Sequence, residues 1–390
     1  MSTAPAPGVS GGELAATPGR VVALHGRAVE HSLDFMRLVD RRLDEAVADL
    51  ARVWHTDLAE HRPVDVLADR DLPELLTSLA ASGKRIRPTM CFWGWVAAGG
   101  RQGSPGRDEV GTLDDVVQVS AALELLHVFA LIHDDVMDES ASRRGQPSVH
   151  TLAAQLHLHA HARGNAQRFG ESIAVLVGDL AHAEADHLVT TLPEPMRRLW
   201  RLLVIELVHG QSRDLTGTAA GRRDLAHARQ VAQMKSGSYT VLRPLQLGAA
   251  AASADPAVTE AISRFGCEVG EAFALRDDLL GVWGNPRLTG KPAGDDLISG
   301  KPTVILALAH ERLAGSARQV LTRVGTPELS PADVTHLQDA LNAEGVVEAV
   351  ESRITTHVRD AVAALDQPDI DPHGVAGLTR MAHRIAWRDR

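Results

Sequence analysis

Leu113–Asp138 reads LDDVVQVSAALELLHVFALIHDDVMD, and the reading of this stretch decides the fold. From Leu113 to His133 apolar residues fall on nearly every side of a helical wheel. A helix of that kind sits in the middle of a bundle, not on its surface. It ends in the most acidic local cluster of the chain, and buried helices seldom carry carboxylates without a partner. Asp134 and Asp138 are four residues apart and share a face. Two such carboxylates repel unless a cation sits between them. Hard oxygen donors suit Mg2+, which uses one or two carboxylates together with substrate phosphates. A solvated acidic helix end is the plain alternative, and the all-apolar approach to it weighs against that.

Outward from this helix, helical spacing recurs over Leu33–Trp54, Arg197–Val208 and Pro331–Val358, while alternating strand patterns are hard to find. The fold class expected is all-α, a single large bundle over 21–390. Residues 1–20 are rich in Ala, Pro, Gly and Ser and read as a disordered tail. With 44% hydrophobic residues in 390, a large core is available. No run of about 18 uninterrupted apolar residues suggests a membrane span, and a cytoplasmic protein is expected. The net charge of -10 and the lack of a basic block argue against nucleic acid. An anionic ligand then needs a few basic residues aimed into one cleft. Cys91 and Cys267 read as small buried hydrophobes, with one disulfide left open. Gly99–Gly106 reads as a Gly-rich loop. His157, His159 and His161 alternate, but no second ligand set accompanies them, so a solvated loop or helix turn is expected.

Basic residues cluster near the acids. Arg143 and Arg144 follow the first acidic motif and offer bidentate donors for diphosphate oxygens, or charge compensation for the aspartates. Lys84 and Arg87, in Gly83-Lys84-Arg85-Ile86-Arg87-Pro88, face one side if helical and make a plausible phosphate cradle. A second apolar helix ends in Phe273-Ala274-Leu275-Arg276-Asp277-Asp278, followed by Gly290-Lys291-Pro292 and Gly300-Lys301-Pro302. Two acidic helix ends with basic flanks suggest two walls of one metal–diphosphate cleft.

Taken in order, G-K-x-x-R-P, a leading His, D-D-x-x-D with R-R, G-D-L, G-Q-x-x-D-L, K-S, and F-x-x-x-D-D with G-K-P-x-G-x-D-L-x-x-G-K resemble the trans-isoprenyl diphosphate synthase family. The likeness is dense from Gly83 to Pro302. It implies condensation of isopentenyl diphosphate with an allylic diphosphate, Mg2+ as cofactor, and a homodimer. It also implies roles. Lys84, Arg87, His127 and Arg144 would hold isopentenyl diphosphate. Arg143, Lys235, Lys291 and Lys301 would hold the allylic diphosphate, with Gln211 and Asp214 lining that side. Asp134, Asp138 and Asp277 would ligate Mg2+, with Asp135 and Asp278 in support.

The chain departs from the family pattern at Ala274, where Gln is frequent, at Ser236, where Thr is frequent, and at Gly281, where a third Asp is frequent. Two other readings remain. A class I terpene cyclase also uses D-D-x-x-D, but its later N-D-x-x-S-x-x-x-E element is absent. A non-catalytic subunit of a heteromeric synthase would typically lack the acidic motifs. Product length is expected to depend on Ala130, about 6 Å below Asp134 by helical rise, and on Phe129 at its flank as a floor. In the family that the chain resembles, short-chain members often have aromatics at both positions and those making geranylgeranyl diphosphate often have one, at the position of Phe129, so the resemblance implies geranylgeranyl diphosphate, with farnesyl diphosphate as runner-up.

Overall fold

The computed structural model describes residues 32–56, 66–67, 70–81, 83–101, 111–143, 145–286 and 293–388. The expected tail at 1–20, most of the Gly-rich loop, Arg144 and Lys291 lie outside these. Helix α1 (Ser32–Thr56) is followed by α2 (Leu72–Ala80), α3 (Ile86–Ala97) and α4 (Leu113–Met137). A two-residue ladder, β1 (Ser142–Arg143) with β2 (Gln146–Pro147), is the one pair of strands among the described residues. Then come α5 (Val149–His159), α6 (Ala166–Val189), α7 (Glu194–Ala219) and α8 (Leu225–Val231). The chain continues without a break through a π-helix (Ala232–Leu242) into α9 (Arg243–Ala251). Helix α10 (Pro256–Trp283), the short α11 (Asp295–Ser299) and α12 (Val304–Arg312) follow. Helices α13 (Gly315–Leu321), α14 (Pro331–Ala343), α15 (Val346–Ala364) and α16 (Pro372–Ala386) close the described chain.

Local chemistry starts these helices where the polar residues allow it. Thr112 and Asp115 form a capping box at α4, and Ser330 with Asp333 does the same at α14. Asn165, Asp224 and Asp255 accept from the first-turn amides of α6, α8 and α10. Helix α4 is the axis of the bundle, packed by α1, α3, α6 and α9. Val116, Val119, Ala121, Ala122, Leu123, Leu125 and Leu126 are all buried, which accounts for its lack of a polar side. It is the one described helix long and apolar enough to cross a membrane, and 67% of its most apolar window is covered by the rest of the protein.

One expectation needs correction, and two open readings are resolved. Cys91 is buried as expected, but Cys267 is exposed, and both are free thiols. Of the loop or helix turn expected at the alternating histidines, the structure has the helix, with His157 and His159 at the end of α5, although His157 is buried against Phe169 rather than solvated. Lys84 is not helical: α3 starts at Ile86, after Arg85 takes a left-handed conformation (φ 52).

Close helix crossings depend on glycine. A Cβ at Gly248 of α9 would lie 2.0 Å from the carbonyl oxygen of Cys91, and one at Gly94 of α3 would lie 2.4 Å from that of Leu245. Since backbone blocks both positions, relief requires the two helices to separate. Gly248→Ala is therefore expected to destabilise the protein by about 1–3 kcal/mol. Urea unfolding checks this, and an unshifted midpoint would show that the α3–α9 contact yields freely.

Candidate active site

The C-terminal end of α4 meets the π-helix and α7 at a cluster of paired charges. Lys235 Nζ donates to Asp134 Oδ1 at 2.9 Å and to Asp214 Oδ2 at 2.5 Å. Gln211 Nε2 reaches the same Asp134 oxygen at 3.2 Å. Gly210 makes this approach possible, because a Cβ there would lie 2.6 Å from the Lys235 amide nitrogen. The turn after α4 brings β1 back along it, so that Arg143 Nε donates to both oxygens of Asp135, at 2.9 and 3.1 Å. Asp138 caps α4 and accepts from Lys301 Nζ at 2.6 Å.

The end of α10 forms the facing side. Asp278 Oδ2 accepts from the Val304 amide at 3.0 Å, at the start of α12. Asp277 is more exposed and pairs with Arg388 at 2.8 Å, the guanidinium lying 4.1 Å from the Phe273 ring centre. Asp277 is thus turned toward the end of α16, while Asp278 shares the field of Asp296 and Asp214.

A third group of polar residues lies further along α4. His127 Nδ1 is 2.8 Å from the Tyr239 hydroxyl. The Arg87 guanidinium lies 4.0 Å from the Tyr239 ring centre and donates to Thr240 Oγ1 at 2.9 Å. Arg87 and Tyr239 are buried. The wide turn of the π-helix presents Lys235 at one end of this surface and Tyr239 with Thr240 at the other. Arg85 anchors the basic loop by donating to Glu124 Oε2 at 2.7 Å and Asp40 Oδ1 at 2.9 Å. Phe129 lies between His127 and the tip of α4, its ring stacked 4.7 Å from that of His182 and edge-on to that of His133 at 4.6 Å. Ala130 is partly buried beside it.

Electrostatics follow from this packing. Burial opposes ionisation of Asp134, but the ammonium groups of Lys235 and Lys301 and the Arg143 guanidinium overcome it and hold the carboxyl well below its usual range. Burial likewise opposes the charge of Lys235, which Asp134 and Asp214 restore. Among the described residues no such cation acts on Asp278. Burial, then Asp296, push its carboxyl well above the ordinary range.

The structure therefore brings Asp134, Asp135, Asp138, Arg143, Gln211, Asp214, Lys235 and Lys301 into one paired network. It sets Arg87 and His127 around Tyr239. The sequence reading passed over Tyr239, Asp296 and the Arg85–Glu124 pair. Two signals were present: Tyr239 is the sole tyrosine of the chain and lies four residues after Lys235, and Glu124 is a lone carboxylate inside the apolar helix.

Comparisons with known proteins agree with the likeness seen in the motifs. The family model described as polyprenyl synthetase matches residues 70–342. A geranylgeranyl diphosphate synthase of Mycobacterium tuberculosis is 30% identical over 346 residues, covering 86% of this chain and 91% of that protein. A geranylfarnesyl diphosphate synthase of Aeropyrum pernix is 28% identical, with 85% and 99% covered. The crystal structure of geranylgeranyl pyrophosphate synthase from Corynebacterium glutamicum, complexed with isoprenyl diphosphate and magnesium, is similar with a TM-score of 0.80. It is 33% identical, covering 90% of this chain and 98% of that one.

The raised carboxyl of Asp278 gives a pH test. Native Asp278 keeps a proton that the unfolded chain has released, so its contribution weakens stability as pH rises from the ordinary carboxylate range toward its raised value. Asp278→Asn removes the charge. In metal-free protein the variant is expected to match the wild type near about pH 4 and to melt higher near about pH 8, by roughly 1–3 °C. Thermal scans at both pH values check this. A variant less stable than the wild type at the higher pH would show that Asp278 is ionised and well paired.

Proposed function

We infer that this chain, which belongs to the polyprenyl synthetase family, is a prenyltransferase that joins isopentenyl diphosphate head-to-tail to an allylic diphosphate. The observation that carries the reading is the pair of lysine–carboxylate bridges, Lys235 with Asp134 and Lys301 with Asp138, at the tip of an all-apolar helix. Such a tip holds fixed cations and fixed carboxylates beside a dry interior.

Mg2+ is the cofactor proposed. The chemistry of the donor set fits it: Asp134 and Asp138 are hard oxygen donors that already hold cationic groups, and Mg2+ needs only one or two carboxylates once substrate phosphates are present. Asp134, Asp138 and Asp277 would hold it, with Asp135 and Asp278 in support. When bound, Mg2+ neutralises the charge that builds on a departing diphosphate. Lys235, Lys301, Arg143 and Lys291 are proposed to bind the allylic diphosphate, with Gln211 and Asp214 beside it. Their positive charges stand ready where negative charge develops. Lys84, Arg87, His127 and Arg144 are proposed to bind isopentenyl diphosphate, with Arg87 and His127 oriented by their contacts to Tyr239. The surrounding bundle keeps water from the allylic cation, and the departing diphosphate is proposed to take the proton.

The product proposed is geranylgeranyl diphosphate. Its support is the bracing of Phe129 between His133 and His182, below the small Ala130, and the names of two relatives. A homodimer is proposed because α6 exposes Val175 and Leu176, and α7 exposes Leu202, Ile205 and Val208. Sedimentation as a monomer would overturn that. One domain over 21–390 and a cytoplasmic location are proposed as well, the latter from the burial of α4.

The purified chain, given labelled isopentenyl diphosphate and each allylic primer, is expected to form prenyl diphosphate only with Mg2+. No transfer under any primer would leave the cyclase or the non-catalytic subunit. Lys84→Ala and Arg87→Ala are expected to weaken isopentenyl diphosphate binding more than allylic binding, each removing a charge-assisted contact of roughly 1.5–3 kcal/mol. Equal losses for the two substrates would reverse the assignment of the pockets.

Product length is tested by chromatography. Phe129→Ala should lengthen the chains and Ala130→Phe should shorten them. An unchanged profile in both variants would place the floor on another helix.

A further inference from the structure

Gly281 leaves the second acidic motif one carboxylate short, and the fold shows what fills the space. A Cβ built on Gly281 would lie 1.9 Å from Oδ2 of Asp296 and 2.5 Å from its Cγ. No side chain can stand at 281 while Asp296 keeps that place. Asp296 is carried there by α11, which packs on α10. Gly294 (φ 79) and Gly300 (φ 69) take left-handed conformations at its two ends, so the chain turns sharply on and off the surface of α10.

Lys301 gives a second, independent indication. Its ammonium reaches Asp138 at 2.6 Å. Burial opposes its charge, and among the carboxylates that sustain it Asp296 comes first, ahead of Asp134 and Asp138. The Asp296 carboxylate therefore acts on the same ammonium that bridges to Asp138 in the first acidic wall. Asp278 is a poorer candidate for that place, since one of its oxygens is engaged by the Val304 amide.

We propose that Asp296 supplies the carboxylate that Gly281 omits, so that the second metal wall consists of Asp277 and Asp296, with Asp278 as a strut within it. The ligand is a divalent cation bridging to a diphosphate, and the inference rests on the Mg2+ reading above. It explains Gly281 as a requirement of the wall rather than a loss from it. A side chain at 281 and the observed place of Asp296 exclude each other.

The test uses the full chain with Mn2+ as probe in the presence of inorganic pyrophosphate, bound Mn2+ being measured by electron paramagnetic resonance. Asp296→Asn is expected to weaken Mn2+ binding about tenfold or more, while Asp295→Asn binds as the wild type does. Gly281→Asp combined with Asp296→Gly moves the carboxylate to the other side of the contact and is expected to restore binding. Asp138→Asn serves as the reference for the metal site. If Asp138→Asn loses Mn2+ and Asp296→Asn retains it, the proposal falls and the metal reading stands. If both retain it, both fall. Should Asp296→Asn fail to fold, the double variant decides: restored binding supports the proposal, and a folded double variant that binds weakly overturns it.

Discussion

A helix that is apolar on every side and ends in carboxylates has to be surrounded by other helices along its length and by cations at its tip. Both demands meet at α4. Burial of Val116 through Ile132 calls for α1, α3, α6 and α9 around it. The charges at Asp134, Asp135 and Asp138 call for Lys235, Arg143 and Lys301 beside them, since an unpaired carboxylate in such surroundings would cost several kcal/mol. The cations come from three different places in the chain, the π-helix, the ladder after α4 and the loop before α12. Folding the core and assembling the cleft are thus the same event.

How much of this was legible depends on whether a residue announces itself within its own segment. Helix α4 did, because its apolar residues and its acidic end are contiguous. So did Lys235, Gln211 and Asp214, whose motif spacing survives as real proximity to Asp134. The all-helical architecture followed from periodicity, with the short ladder at Arg143 below the reach of any pattern. Lys84 and Arg87 share a helix face only if the helix already includes Lys84, and it begins two residues later, at Ile86. The left-handed Arg85 that breaks it is held by Glu124 and Asp40, which lie far away in sequence.

Partners that meet only in three dimensions were not legible. Tyr239 matters because its hydroxyl meets His127 and its face meets Arg87, and neither contact leaves a local mark. The burial of Cys91 and the exposure of Cys267 were indistinguishable in apolar-looking stretches, because which face of α10 turns outward is set by the helices packed on it. The departure at Gly281 looked like a deficit for the same reason. Its meaning lies in a residue fifteen positions later, brought beside it by α11.

The network also has a direction built into it. Each lysine at the tip of α4 is held by a carboxylate while no diphosphate competes for it. In the proposed function, a diphosphate bound with divalent cations would offer both partners a stronger match: phosphate oxygens for the lysines, and doubly charged ions for the aspartates. Such an exchange would conserve the pairing of these charges, so no uncompensated group would be exposed to the apolar interior. Asp278 stands apart from these bridges: burial, then the neighbouring Asp296 carboxylate, push its carboxyl well above the ordinary range, whereas the cations around Asp134 hold that carboxyl well below it. The contrast between the two aspartates comes from burial acting with unlike neighbours, carboxylates at the one and ammonium and guanidinium groups at the other.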